Sequence, residues 1–143
     1  MAKQQKTRLV LDTNWYISAI ISRKSRRILY ELLIDERLVI LYTDRLQSEF
    51  LEVIYRPKFK NVLKPGQILR FLSLTLSRLE YVAIKTSVVL SRDPKDNYLL
   101  SLSQDGNAQY LVTGDLDLLV IGKHIETHII TMAEFRLVLA ELK

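Results

Sequence analysis

A chain of 143 residues, 48% of them apolar, is long enough to bury one sizeable core without metal or disulfide staples. It has no cysteine, which excludes a disulfide framework, a thiolate metal site and a thiol nucleophile, and accords with a reducing compartment. The formal charge of +5, from 21 Lys and Arg against 16 Asp and Glu, gives a weak preference for a polyanionic partner.

The opening "MAKQQKTRLVLD" is basic, but Asp12 breaks its apolar run too early for the core of a signal peptide. No apolar run approaches the ~18 residues of a membrane span, so a cytoplasmic protein with no membrane partner is expected. Glycine (4) and proline (3) are sparse, and there is no repeat or linker-like stretch, so residues 1–143 read as a single domain.

Leu9–Leu11 reads as a buried strand that ends on a bare carboxylate, Asp12. Asn14–Ile21 and Ser25–Asp35 read as helices joined near the basic "SRKSR", and Leu38–Tyr42 as a second strand. A third helix starts near Thr43, a suitable N-cap, and ends by Pro57; Pro65 suits the first position of a fourth, amphipathic helix, "QILRFLSLTLSRL". Tyr81–Ile84 reads as a short third strand. "DPKDNYLLSLSQDG" reads as a complete helix, with Asp93 as N-cap, Pro94 as first helical residue and Gly106 as C-terminal stop. Tyr110–Thr113 and His128–Thr131 are the fourth and fifth strands, and Thr131–Glu134 is a capping box that opens the last helix. This alternation predicts an α/β fold, a three-layer α/β/α sandwich around a parallel sheet of about five strands. In such a fold ligands sit outside the carboxyl ends of the strands, where the strand order switches.

Acidic residues fall at that edge. Asp12 closes the first strand, Glu49 lies on the helix after the second, Asp96 starts the helix after the third, and Asp115 and Asp117 follow the fourth. On helix three, Leu46, Phe50, Val53 and Ile54 define the buried face; Glu49 lies roughly 85° from its centre and Glu52 roughly 145° away, so Glu49 belongs to the seam and Glu52 to solvent. Taken singly, Asp93 and Asp96 also suit a helix N-terminus, Asp115 and Asp117 a turn after Gly114, and Glu49 a solvated helix face. Those readings leave the shared sheet edge as coincidence. Four clustered carboxylates need a countercharge, and oxygen-only ligands select a hard cation such as Mg²⁺ or Mn²⁺.

Setting aside Asp12, Glu49, Asp96, Asp115 and Asp117 leaves 11 acids against 21 bases, or +10. An acidic pit on a basic body suits a metal ion facing a phosphate polyanion. Arg23, Lys24, Arg26 and Arg27 in "RKSRR" are the candidates for holding backbone phosphates, with "RPKFK" (56–60) a second cluster; either could be ordinary solvated surface, the reading slightly favoured for "RPKFK". There is no Gly-rich phosphate loop. His124 and His128 have no visible acid–base partner, which argues against a metal-free, histidine-driven ribonuclease. Trp15 and Tyr16 read as packing residues.

The stretches "LVLDTN", "SEFLEVIYRPKF", "RDPKDNYLL" and "YLVTGDLDLL", in this order and spacing, resemble the PIN domain family over nearly the whole chain, most closely the VapC-like toxins of bacterial toxin–antitoxin pairs. The resemblance implies a Mg²⁺- or Mn²⁺-dependent ribonuclease that leaves 5′-phosphate and 3′-hydroxyl ends. It implies Asp12, Glu49, Asp96 and Asp115 as metal-site acids, Asp117 as an auxiliary catalytic acid, and Asn14 and Thr113 as polar residues that orient them. Asp93 matches the branch's "DP" and reads as a helix cap. RNA is the implied substrate, an antitoxin protein the implied partner, and a homodimer the family's usual state. Trp15 and Tyr16 depart from the family, which more often has smaller aliphatics there; "KPGQ" lacks the usual acidic cap, and "LSLSQ" replaces a more alanine-rich helix. A receiver domain is disfavoured because "HIITMAEF" supplies no lysine, and a haloacid-dehalogenase-type phosphatase because Asn14 stands where its second aspartate would be. The remaining alternative is a catalytically silent PIN fold that binds RNA or protein.

Overall fold

The computed structural model describes residues 5–142; Met1–Gln4, the start of the basic N-terminus, and Lys143 lie outside the described residues. The apolar run around Leu9 forms β1 (Thr7–Leu11), in which only Arg8 is not fully buried. A strand this uniformly buried belongs at the centre of a sheet covered on both faces. Then follow α1 (Thr13–Ile21), α2 (Arg23–Leu33), β2 (Leu38–Tyr42), α3 (Asp44–Ile54), α4 (Pro65–Leu76), β3 (Glu80–Tyr81), α5 (Asn97–Asp105), β4 (Tyr110–Val112), α6 (Leu116–Leu119), β5 (Lys123–His124), β6 (Thr127–Ile130) and α7 (Met132–Glu141). The sheet has six strands in the order β3-β2-β1-β4-β6-β5. All pairings are parallel except that of β5 with β6.

The chain steps outward from β1 through β2 to β3, then returns across the sheet to β4. Right-handed crossovers therefore put α1 to α4 on one face and α5 with α6 on the other. The reversal falls between β1 and β4, paired with Leu11 opposite Val112. That pair is the switch point.

Three features differ from the sequence reading, each for a physical reason. The third strand is Glu80–Tyr81 rather than Tyr81–Ile84. Its partner β2 ends at Tyr42, and after Val82 N–H bonds to the Tyr42 carbonyl at 2.9 Å there is no strand left to pair with. The chain instead runs along α5, whose Asp105, Ser101 and Asn97 side chains, one turn apart, accept backbone N–H groups of Lys85 and Thr86, of Val88, and of Leu90 and Ser91. This strap delivers the chain to the turn that carries Asp96.

The helix expected over "DPKDNYLLSLSQDG" divides into a 3₁₀ turn, Pro94–Asp96, and α5. Gly106 does end α5, but with φ −90° rather than in the left-handed region; a Cβ there would lie 2.5 Å from Leu41 Cδ1, so a side chain would have to displace this buried leucine. The short α6, entered through the turn after Gly114, and the β5–β6 hairpin are additional to the predicted elements. The hairpin turns through Ile125 at φ +54°, a conformation β-branched residues rarely adopt.

Ile125 is 57% exposed and holds this backbone without compensating burial. Ile125→Asn is expected to raise the unfolding free energy by about 1–2 kcal/mol, because asparagine tolerates the left-handed region. Urea denaturation checks this; an unchanged or lower midpoint would mean that the turn relaxes at no cost in the wild type.

Candidate active site

β1 delivers Asp12 to the sheet edge, and its carboxylate caps α1, accepting from the Asn14 N–H at 3.3 Å. Asp12 is only 6% exposed. Burial is the largest influence on its carboxyl and raises its pKa; the Thr113 hydroxyl and Asn14 N–H oppose this, and Glu49 and Asp115 add to it. The Thr113 hydroxyl, at the end of the neighbouring strand, donates to Asp12 Oδ2 at 2.6 Å and accepts the Asp115 N–H at 3.0 Å. One side chain thus fixes two of the acids. Asp115 in turn caps α6 by accepting the Asp117 N–H at 2.9 Å.

Asp96 behaves differently from a helix cap. Asp93 takes that role for the 3₁₀ turn, accepting the Lys95 N–H at 3.1 Å, whereas Asp96 makes no side-chain capping bond. Its Oδ2 is buried without a hydrogen-bond partner. Burial first, and then the Asp115 carboxylate beside it, push Asp96 up to about 8, with Asp12 and Asp93 adding to the effect. Buried carboxylate oxygens are ordinarily paired, so this one requires a proton or a cation.

Glu49 faces the site and Glu52 is exposed, as the helical phase requires. Glu49 Oε2 accepts the Thr13 hydroxyl at 3.2 Å and a short hydrogen bond from the Tyr98 hydroxyl, and the two hydroxyls lie 2.8 Å apart. Burial and the Glu49 carboxylate raise the Tyr98 hydroxyl well above the ordinary tyrosine range, keeping it a donor. Arg45 lies over the Tyr98 ring, 5.8 Å from its centroid. No signal in the sequence marks Thr13 or Tyr98; each lies within two residues of a motif acid, but nothing local shows that they meet across 85 residues.

Asp117 is set apart from the other four, because Arg92 pairs with its Oδ1 at 3.0 Å. Among the described residues no Lys, Arg or His forms an ion pair with Asp12, Glu49, Asp96 or Asp115. Asn14 contributes its backbone N–H to Asp12, and its exposed side chain lines an open cleft of about 560 Å³ with Trp15, Ser18, Ser25, Thr113 and Met132. The "RKSRR" run forms the first turns of α2 rather than a joint, and Ser25 in its middle brings it to this cleft. Arg23, Lys24 and Arg27 are exposed, whereas Arg26 spends Nε and Nη2 on the Ala19 and Ile20 carbonyls that end α1, at 3.0 and 2.9 Å.

The donor set is carboxylate and hydroxyl oxygen throughout, which suits a hard divalent cation. The unpartnered Asp96 oxygen, and the lack of any ion pair to these four acids among the described residues, fit such an ion. Among the described residues, however, no three acids stand close enough as arranged to enclose one. Glu49 is held instead by Tyr98 and Thr13.

The raised carboxyl of Asp96 sets a pH dependence. Unfolded, it titrates near 3.9; folded, it keeps its proton to about 8. Between these values the folded state binds more protons, so metal-free stability falls as pH rises through that window. Asp96→Asn removes this contribution. With chelator present, the variant should melt above wild type near pH 8, and the gap should close toward pH ~4. Parallel melting curves across this range would show that Asp96 is not desolvated in the folded protein.

The PIN domain family model matches residues 8–117, which include all five acids. No curated protein matches the chain. Among the solved structures that are similar, two have a TM-score of 0.59. VapBC2 from Rickettsia felis, bound to a DNA fragment from their promoter, is 19% identical over 86% of this chain and 98% of that chain. PAE2754 from Pyrobaculum aerophilum is 16% identical over 95% of this chain and 91% of that one. At these identities the two structures speak for the fold, and the family match covers well over half the sequence: the chain belongs to the PIN domain family.

Proposed function

We propose that this chain is a metal-dependent endoribonuclease, a hydrolase of RNA phosphodiester bonds, and that it acts as the toxin of a type II toxin–antitoxin pair. The observation that carries the chemistry is Asp96 Oδ2, buried without a partner beside Asp115 at the switch point of the sheet. The similar Rickettsia felis structure is that of VapBC2 on promoter DNA, which supports an antitoxin protein as partner.

Asp12, Glu49, Asp96 and Asp115 would hold Mg²⁺ or Mn²⁺. When bound, the ion supplies positive charge at the phosphate oxygens and lowers the pKa of water at neutral pH. The chain's own part is orientation. Thr113 and the Asn14 N–H each engage one oxygen of Asp12, so its carboxylate is fixed before substrate arrives. Thr13 and Tyr98 both engage Oε2 of Glu49, leaving Oε1 with capacity for a proton from the attacking water. Attack on phosphorus with departure of the 3′ oxygen leaves 5′-phosphate and 3′-hydroxyl ends. Arg23, Lys24 and Arg27 hold the RNA backbone beside the cleft, and Arg26 holds α1 in place.

A second reading, a silent PIN fold that binds RNA or protein, is favoured by one observation: among the described residues no three acids stand close enough to enclose an ion, and Glu49 is bonded to Tyr98 instead. Metal titration separates the two. Saturable Mn²⁺ binding, lost in Asp12→Asn and Asp96→Asn, is expected of the nuclease. Glu49→Gln should cut metal-dependent cleavage by on the order of 100-fold, while Glu52→Gln leaves it nearly intact. No saturable Mn²⁺ binding would sink the nuclease reading.

RNA affinity measured across a salt series tests the basic run. Replacing Arg23, Lys24 and Arg27 together with Gln should flatten the log–log slope by ~0.7 for each phosphate no longer neutralised, for all sequences alike. Arg26→Gln should lower thermal stability and leave the slope unchanged. Equal slopes for wild type and the triple variant would move the phosphate track elsewhere.

A further inference from the structure

Apart from Thr113 in its wall, the cleft beside the acids has no part in the chemistry above, and its composition is specific. Asn14, Trp15 and Ser18 line it from one face of α1, Ser25 from the basic first turns of α2, and Thr113 and Met132 from the far side. No charged side chain lines it, although basic residues flank it at α2 and acids adjoin it at Asp12 and Asp115. A phosphate lodged there would have no countercharge. A planar, neutral, hydrogen-bonding group would find one aromatic ring, one amide and several hydroxyls.

Trp15 is half-buried, packed against the core and lining the cleft. Its backbone N–H bonds to the Asp12 carbonyl at 2.9 Å, so the indole is carried one helical turn from the first acid, a rise of ~4.5 Å. Its neighbour Tyr16 is buried, with its hydroxyl unpartnered in the core. Of the two aromatics that follow the "LDTN" motif, only Trp15 reaches the cleft. The Asn14 amide, exposed and bonded to none of the acids, offers both donor and acceptor to a base edge.

We propose that this cleft is a nucleobase subsite, in which one base of single-stranded RNA stacks on Trp15 and meets the Asn14 amide while the adjoining phosphates lie on Arg23, Lys24 and Arg27 to one side and at the acids on the other. The inference rests on the ribonuclease reading and adds to it a residue that selects for an unstacked, single-stranded base. Aromatic stacking accepts any base, so Trp15 provides the hold and the Asn14 amide the preference.

Trp15 is the only tryptophan in the chain, so intrinsic fluorescence reports on the cleft directly. The test titrates the full-length protein in metal-free buffer with a short oligouridylate, the same oligomer of abasic ribose-phosphate, and uridine monophosphate. Affinity is measured independently by anisotropy of a labelled strand. Saturable quenching by the oligouridylate, weak or no quenching by the abasic strand, and much weaker binding of the mononucleotide are expected. Trp15→Ala should weaken the base-bearing strand about 5- to 100-fold and leave the abasic strand and Mn²⁺ affinity unchanged, and Trp15→Phe should restore most of the loss. Equal quenching by the abasic strand would overturn the subsite in favour of a backbone contact. Mononucleotide binding as tight as the oligomer's would overturn it in favour of a free-nucleotide site. Tight RNA binding that neither quenches Trp15 nor responds to Trp15→Ala would overturn the subsite and leave the ribonuclease reading standing. No RNA binding by anisotropy, whether metal-free or with Mn²⁺ added, would overturn both.

Discussion

One hydrogen bond organises the carboxyl edge of this molecule: Thr113 Oγ1 to Asp12 Oδ2, at 2.6 Å. It joins the ends of the two strands between which the direction of winding reverses. A carboxylate this buried is costly unless its oxygens are satisfied, and the bond supplies one of the two partners Asp12 has. The same hydroxyl accepts the Asp115 N–H, so its single proton and a lone pair set the relative placement of two acids. Valine would match threonine in shape at this position, yet it would leave Asp12 half-satisfied and Asp115 untethered. The backbone secures the threonine in turn, since the Thr113 N–H bonds to the Ile130 carbonyl of β6.

The acids gather around this bond by a division of labour. Asp12 and Asp115 are bonded to backbone and hydroxyl groups, Glu49 to two hydroxyls, and Asp117 to Arg92. Asp96 alone keeps a buried oxygen without a partner. The molecule therefore concentrates its electrostatic cost in one side chain and holds the others in place. That side chain sits at the end of a strap whose backbone is secured by three regularly spaced residues of α5, so the chain has little freedom to swing the carboxyl out to water.

Much of this is legible in the sequence because it rests on local rules. An apolar run ending in aspartate, the helical phase separating Glu49 from Glu52, proline and aspartate at a helix start, and a capping box at Thr131 all follow from a few neighbouring residues. What is not legible depends on distance or on broken local preference. The Tyr98–Glu49 and Arg26–Ala19 bonds need the packing of elements that the sequence does not orient. The shortened β3 depends on where its partner strand stops. The β5–β6 hairpin turns on an isoleucine at positive φ, where turn rules call for glycine or asparagine. Gly106 reads as a stop for its conformational freedom, whereas in the structure a side chain there would have to displace Leu41.

The strand order has a consequence in time as well as in space. Asp12 is made well before the hydroxyl that completes its surroundings, which lies 101 residues further on. A partly made chain that stops before β4 holds β1, Asp12 and Glu49 with no Thr113, no Asp115 and no neighbouring strand across the switch point. Contacts of such long range form late, both in folding and during vectorial synthesis from the N-terminus. In a chain of this order the edge that gathers Asp12, Glu49, Asp96 and Asp115 is assembled only once the residues through Asp115 have been made.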